Sequence, residues 1–228
     1  MTYTLITANR NYSSWSLRPW ALMKELDIPF EERLEPFASM SNYDAFRAFS
    51  PTGQVPVLLD GDRTIYDSLG VVMYLADRHE GVWPKDEAAR AWAQCAVAEM
   101  HGGFGALRNE CTMNVGVRAK PKPMSDALKK DIARIKELWS EGLSRFKGPW
   151  LAGEAFTAAD AFFAPVAFRV RTYDLDVGEA GRAWVDHIIA HPAMQDWEAQ
   201  ALKEEWREIG HEEELAEFGE VTEDFRTG

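Results

Sequence analysis

The sequence predicts an α/β unit joined to an all-α unit, on three observations. An alternating apolar run, a helical run and a second alternating run follow one another between Tyr3 and Glu35. A turn-flanked pair of strands and a capped helix come next. Beyond Gly81-Val82-Trp83-Pro84 every patterned stretch is helical. That switch alone places a boundary near residue 81, giving a first unit at 1–80, a linker at 81–87, a helical unit at 88–209 and an acidic tail at 210–228.

Tyr3 to Thr7 alternates as a short strand does, and Pro19 to Leu26 reads as a helix closed by Asp27-Ile28-Pro29. Proline fits the first helical turn, which puts the N-cap near Ser16. Phe30 to Glu35 alternates again, so the chain opens as a βαβ unit with a parallel, right-handed crossover. The polar stretch from Ala38 to Ser50 is a loop with a short helix around Tyr43 to Phe49. Val57 to Leu59 and Thr64 to Tyr66 flank Asp60-Gly61, a strong hairpin signal. Asp67-Ser68 precedes a helix over Leu69 to His79, with Ser68 as its N-cap.

In the second unit a long helix runs from about Glu87 to Val117, interrupted at Gly102-Gly103 and Gly105. Lys120-Pro121-Lys122-Pro123 is a loop, and Ser125 to Phe146 is a helix stopped by Gly148-Pro149. Thr157-Ala158-Ala159-Asp160 opens another helix by a capping box. The last helices cover roughly Gly181 to Ala190 and Ala193 to Glu208. From Gly210 the acidic, apolar-poor chain reads as a docked or frayed tail.

The 228 residues are 46% apolar and 12% aromatic, ample for a core without staples. A net charge of -12 argues against nucleic acid and anionic membrane surfaces as partners. Cys95 and Cys111, spaced along one predicted helix, argue against a disulfide framework, a zinc centre and a dithiol redox pair. No signal-peptide core and no long apolar run occurs, so the chain reads as soluble and cytoplasmic. His187 and His191 have the i, i+4 spacing of two ligands on a helix. No Glu follows His187 and no third ligand suggests itself, so they read as structural and no metal is expected.

Ser13 and Ser14 fall in the turn ahead of the first helix. Serines there either cap the helix or, with the free N–H groups and the positive dipole end, seat a thiolate, phosphate or carboxylate. Ser68 and Asp67 have the same two readings, and Pro56 either starts an edge strand or fixes a kink at Val55.

Four local features in this order, Tyr12-Ser13-Ser14-Trp15-Ser16, Gln54-Val55-Pro56-Val57, Asp67-Ser68, and Leu151-Ala152-Gly153 with Phe156-Thr157-Ala158-Ala159-Asp160, resemble those of the cytosolic glutathione transferases. The resemblance covers nearly the whole chain. It implies a thioredoxin-like N-terminal domain (β-α-β, β-β-α) followed by an all-helical C-terminal domain, with a cis bond before Pro56. It also implies that the Val55 backbone pairs with the cysteinyl part of glutathione, that Asp67 and Ser68 hold the γ-glutamyl end, and that Gln54 is a further contact. Within the family, the serine turn of this bacterial-type sequence looks most like the zeta class, which includes maleylacetoacetate isomerase. Aligned that way, Ser13 donates to the glutathione sulfur, Ser14 stands beside it, and Trp15 replaces a cysteine.

A thiol of pKa about 8.5 is only a few per cent thiolate at neutral pH, and lowering it by about two units takes roughly 2.7 kcal/mol. A hydroxyl donating to an anion contributes about 1.5–3 kcal/mol, so Ser13 with the turn amides suffices without a general base. No His lies near, which disfavours a serine nucleophile of the triad kind. Tyr12, Trp15, Met100, Phe104, Arg108 and Cys111 are candidates for the electrophile site, the last four by a spacing near four on the long helix. Such a stripe is equally a core stripe. Arg169 and Arg171 either hold an acidic substrate or are ordinary exposed arginines. The function implied is glutathione conjugation to a small electrophile, with glutathione as co-substrate and a homodimer as the family's usual state. Glutathione-dependent cis-trans isomerisation, or a non-catalytic binding module, are the alternatives. A dithiol reductase is disfavoured because no cysteine occupies the Ser13 region.

Overall fold

Tyr3–Thr7 (β1) lies inside a four-stranded sheet, order β2-β1-β3-β4, in the computed structural model, which describes residues 2–37 and 42–228. β1 pairs in parallel with Phe30–Leu34 (β2), Tyr3 opposite Phe30 and Thr7 opposite Leu34. On its other side it pairs antiparallel with Val57–Asp60 (β3), which pairs antiparallel with Arg63–Ile65 (β4). Leu5 and Ile6 in β1 are wholly buried, as a strand with two neighbours and covered faces requires. At the edge, β2 shows Glu31, Glu32 and Arg33 to solvent, and such charges discourage further strand pairing.

The crossover helix is Ser14–Glu25 (α1), which starts earlier than the Pro19 signal predicts. Ser13, not Ser16, is its N-cap, and Pro19 lies inside it. Proline there gives up one helical hydrogen bond, and the burial of Leu17, Pro19, Trp20, Ala21 and Leu22 against the core offsets that loss. Tyr43–Phe46 (α2) is shorter than expected; the beginning of the predicted loop, 38–41, lies outside the described residues. Ser68–Ala76 (α3) is capped by Asp67, whose Oδ1 accepts the N–H groups of Leu69 (2.9 Å) and Gly70 (3.3 Å). The cap is therefore one residue earlier than Ser68, because the longer carboxylate reaches two orphan amides at once.

The helices that follow are Glu87–Gly102 (α4), Gly105–Glu110 (α5), Asp126–Phe146 (α6), Ala158–Tyr173 (α7), Gly178–Ile189 (α8), Pro192–Ala201 (α9) and Ile209–Phe218 (α10). The single helix expected over Glu87 to Val117 is broken. Gly103 leaves the helical conformation and Phe104 takes a left-handed one, φ 56°, so α5 starts in a new direction. Cys95 and Cys111 are therefore not on one helix. Beyond Glu110 the chain becomes a strand, Val117–Pro121 (β5), paired antiparallel with Gly219–Asp224 (β6). Lys120 and Pro121 thus belong to a strand, and the helical unit carries a two-stranded sheet. The tail is a helix and a strand docked on the body, and the last predicted helix stops at Ala201, seven residues short of Glu208.

Helix α7 is buried along its length except at Arg171, and it packs against α1, α4, α8 and β5. Its capping box forms as predicted. Asp160 accepts the N–H of Thr157 (3.0 Å), and it also takes the N–H of Leu151 (2.9 Å) and the indole N–H of Trp184 (3.2 Å). His191 caps α9 whereas His187 ends α8, so the two do not share a helix. Both rings pack on Trp150, and His191 pairs with Glu25. One core runs from Leu5, Leu17 and Trp20 through Phe162 and Phe163 to Trp139 and Trp184.

Candidate functional site

The loop between β1 and α1 is held from several sides before any side chain of it faces solvent. The Asn9 carbonyl accepts the N–H groups of Tyr12 (3.1 Å) and Ser13 (2.8 Å), folding the loop into a tight turn. Asn11 fixes the turn to distant chain: its Nδ2 donates to the Ala201 carbonyl (2.6 Å), and its Oδ1 accepts the N–H of Gly116 (3.0 Å). Glu204, buried, accepts the N–H of Arg10 (2.7 Å), and the Arg10 guanidinium pairs with Glu32 (2.7 Å). Neither Asn11 nor Glu204 stands out in the sequence, since their partners lie between 105 and 194 positions away.

This loop forms one wall of a cavity of ≈ 730 Å³, within the size range of small-molecule sites. Ser13, Ser14, Gln54, Val55, Pro56, Asp67 and Ser68, three separate motifs in sequence, all line it. The bond before Pro56 is cis, as expected, and a second cis bond lies between Tyr66 and Asp67. The N–H and C=O of Val55 engage no described residue, so both can pair with an extended ligand backbone. Ser68 is buried, yet its hydroxyl has no hydrogen-bond partner among the described residues. A buried polar atom without a partner is costly and marks the place where a ligand completes the bonding.

The serine pair is asymmetric. Ser13 Oγ donates to Ser16 Oγ at 2.7 Å, and Ser16 Oγ in turn accepts the N–H of Ala8. The Ser14 hydroxyl has no partner among the described residues. The amides of both residues are spent inside the turn, on the carbonyls of Asn9 and Tyr12. The turn amides of Ser13 and Ser14 therefore do not reach an anion, contrary to the sequence reading, which left no way to see those bonds. What remains is the two hydroxyls and the N-terminal end of α1.

Of the electrophile candidates, Tyr12, Trp15 and Arg108 line the cavity and Met100, Phe104 and Cys111 do not. Met100 is core, Phe104 turns the chain between α4 and α5, and Cys111 is buried with its thiol pushed up to about 12 by burial. Their spacing fits one helix, and the break at Gly103 puts them on two. Arg169 does line the cavity, whereas Arg171 is bound bidentately by Glu198 (2.6 and 2.8 Å).

Residues that carry no sequence signal complete the wall: Phe37, His101, Thr112, Met113, His211 and Glu214. His101 Nε2 lies 3.3 Å from the Asp67 carboxylate. Burial lowers its pKa from the ordinary value against the pull of Asp67, with Arg18 and Arg108 adding to the lowering. His211 comes from α10 and stacks between Tyr12 and Phe37, at centroid distances of 5.0 and 5.6 Å. Tyr12 Oη donates to Glu212 (2.6 Å), and Glu212 also binds Arg226 (2.6 Å) and Asn114 (3.1 Å). Burial, the hydrogen bond to Glu212 and that carboxylate's charge all push the Tyr12 phenol up, so it stays neutral. The acidic tail is thereby a wall of the cavity.

Matches to known proteins bear on this geometry. The family described as glutathione S-transferase, N-terminal domain, matches residues 12–78, and that described as glutathione S-transferase, C-terminal domain, matches residues 95–192. The chain is 27% identical over 176 residues to glutathione S-transferase GstA of Escherichia coli O157:H7, spanning 72% of this chain and 82% of that one. A shorter stretch of 61 residues, 26% of this chain and 21% of the other, is 36% identical to dichloromethane dehalogenase of Methylorubrum extorquens. Among solved structures, a glutathione transferase homologue from Burkholderia with bound glutathione superposes with a TM-score of 0.66. Its identity is 20%, and the match covers 88% of this chain and 98% of that one.

Proposed function

The chain belongs to the cytosolic glutathione S-transferase family, and on that premise we propose that its cavity binds glutathione and activates the thiol through serine hydroxyls. The observation that carries this reading is the convergence of Ser13-Ser14, Val55-Pro56 and Asp67-Ser68 on one cavity, with the Ser68 hydroxyl and the Val55 backbone unpartnered. The cysteinyl backbone of glutathione pairs with Val55 as an added strand would. Its γ-glutamyl carboxylate takes the Ser68 hydroxyl and the N-terminus of α3, its ammonium takes Asp67, and Gln54 contacts its backbone. The sulfur then falls before Ser13 and Ser14. The thiolate attacks an electrophilic carbon: the C–S bond forms, the leaving group departs with its electron pair, and the thiol proton goes to solvent.

The electrophile's place in this reading is the wall of Tyr12, Trp15 and Arg108. A homodimer is part of the proposal, supported by Tyr66 and Met73, large apolar side chains left exposed beside the sheet. Retention on immobilised glutathione, with conjugation of 1-chloro-2,4-dinitrobenzene, tests the reading. The wild type is retained and turns over; Asp67→Ala and Ser68→Ala are released at lower free glutathione. A folded wild type that neither binds nor turns over overturns it.

A further inference from the structure

In a chain of net charge -12, three arginines gather at the helical side of the cavity. Arg108 and Arg169 line it, and Arg18 lies behind Trp15, its guanidinium carbon 3.9 Å from that ring's centroid and 4.8 Å from that of Phe162. Arg108 stands over the same indole at 5.3 Å. Among the described residues no carboxylate forms an ion pair with any of the three. Elsewhere Arg10 is neutralised by Glu32, Arg171 by Glu198 and Arg226 by Glu212 and Asp224.

The hydrogen bonds the three do make fix them without cancelling charge. Arg169 donates from Nε to the Cys111 carbonyl (2.8 Å) and from Nη1 to the Pro165 carbonyl (3.3 Å). Arg108 donates from Nη1 to the carbonyls of Met100 (3.1 Å) and His101 (3.3 Å). Nη2 of each remains unspent among the described residues. Arg18 is wholly buried, with Nε and Nη1 unpartnered among the described residues. Burial first, and the like charges of Arg169 and Arg108 next, hold its pKa well below the ordinary arginine value. Asp67 acts on Arg18 and Asp131 on Arg108 from beyond ion-pair distance; a cluster of one sign without an ion pair is costly where it is buried, and an arriving anion relieves it. Two carboxylates line the same cavity, Asp67, which caps α3 and lies 3.3 Å from His101, and Glu214 of α10, and neither forms an ion pair with the three arginines.

We propose that Arg108 and Arg169, backed by Arg18, form a recognition site for the anionic group of an electrophile whose planar or apolar body lies on Trp15. This rests on the transferase reading for the reaction, though not for the binding. Guanidinium recognises carboxylate and phosphate alike, so both sources are tested. With 4-chloro-3-nitrobenzoate as the probe, the glutathione sulfur bonds to the carbon bearing chlorine, the C–Cl bond breaks, chloride leaves with its electron pair, and the thiol proton goes to solvent. The carboxylate is held and takes no part in bond making.

Calorimetric titration of the wild type, Arg108→Gln and Arg169→Lys with 3-nitrobenzoate, 3-nitrobenzamide and phenyl phosphate tests the site. Arg108 is half-buried and serves as the variant least apt to disturb folding, with a thermal melt as control. The wild type binds 3-nitrobenzoate at least about tenfold more tightly than the amide, and Arg108→Gln brings the two within a few-fold. Tight phenyl phosphate with weak benzoate assigns the site to phosphorylated electrophiles. Equal affinity for acid and amide, with phenyl phosphate no tighter, overturns the proposal even if 1-chloro-2,4-dinitrobenzene is turned over. Preserved acid selectivity in a protein that fails to bind glutathione overturns the transferase reading and leaves the anion site standing. In the conjugation assay, KM for 4-chloro-3-nitrobenzoate falls below that for its amide, and Arg108→Gln removes the difference.

Discussion

Replacing each serine of the α1 turn by alanine separates their contributions to the thiolate, because their hydroxyls start from different states. The Ser14 hydroxyl has no competing partner, so an anion receives the whole of a charge-assisted hydrogen bond, about 1.5–3 kcal/mol, or about one to two pKa units. Ser13 first gives up its 2.7 Å bond to Ser16. That neutral bond is worth about 1 kcal/mol, which leaves about 0.5–2 kcal/mol, or roughly 0.4–1.5 units. Ser14→Ala should therefore raise the pKa of bound glutathione at least as far as Ser13→Ala, and the double variant should bring it near the solution value of about 8.5. Ultraviolet absorbance of the thiolate as a function of pH, at saturating glutathione, reads all four proteins. If Ser13→Ala alone restores the solution value and Ser14→Ala leaves the wild-type value, the reasoning from the committed Ser13 proton is refuted. Ser13→Ala should also cost about 0.5–1.5 kcal/mol of stability through the lost bond to Ser16, a loss Ser14→Ala does not share.

Asp160→Ala removes the acceptor of Leu151, Thr157 and the Trp184 indole in a fully buried place; a loss of about 3–5 kcal/mol in denaturant unfolding is expected, and less than 1 would contradict the bonding described. Burial raises the Asp160 pKa from the ordinary 3.8 to about 6, against its hydrogen bonds. The folded state then binds the proton more tightly, so Asp160's contribution to stability is fully present below pH 3.8 and declines as pH rises to about 6, and the difference in stability between wild type and Asp160→Asn should shrink across that window. Glu212→Gln breaks the charge pairing that ties Tyr12 to Arg226; hydrogen exchange over 209–224 should speed at least about fivefold while α7 amides stay protected, and uniform exchange would argue against the tie. His101, pushed down by burial, should titrate below 6.5 by NMR; its contribution to stability is present above pH 6.5 and is lost as pH falls toward the folded value, and a pKa above 6.5 would mean that Asp67 outweighs burial.

Local signals carried the sheet, the hairpin and most helices. Alternation marked β1 and β2, Asp60-Gly61 marked the turn, and Thr157 with Asp160 marked the start of α7. The Ser13, Val55-Pro56 and Asp67-Ser68 motifs were legible for the same reason: each is short and carries its own backbone chemistry. The helix boundaries at Ser13 and Asp67 shifted by a few residues because tertiary burial overrode Pro19 and because a carboxylate caps farther than a hydroxyl. The alternation of buried Val117 and Ala119 with exposed Lys120 is a strand signal in hindsight. Its partner, Gly219–Asp224, is about one hundred residues away, and no local pattern reports such a pairing. His101, His211 and Arg18 were illegible for a related reason. A wall is defined by what meets across space, and an arginine without a partner looks in sequence like any other.

The cavity is closed by bonds between residues far apart along the chain, Tyr12 to Glu212 across 200 positions and Arg10 to Glu204 across 194. Translation proceeds at about 5–20 residues per second, so the serine turn leaves the ribosome roughly 10–40 s before the residues that wall it in. Throughout that interval the sheet can form around β1 while the pocket lacks its helical wall. The nascent protein therefore has a period in which the residues proposed to contact glutathione, all within the first 68, are in place while the wall of His101, Arg108, Arg169 and His211 is not yet made.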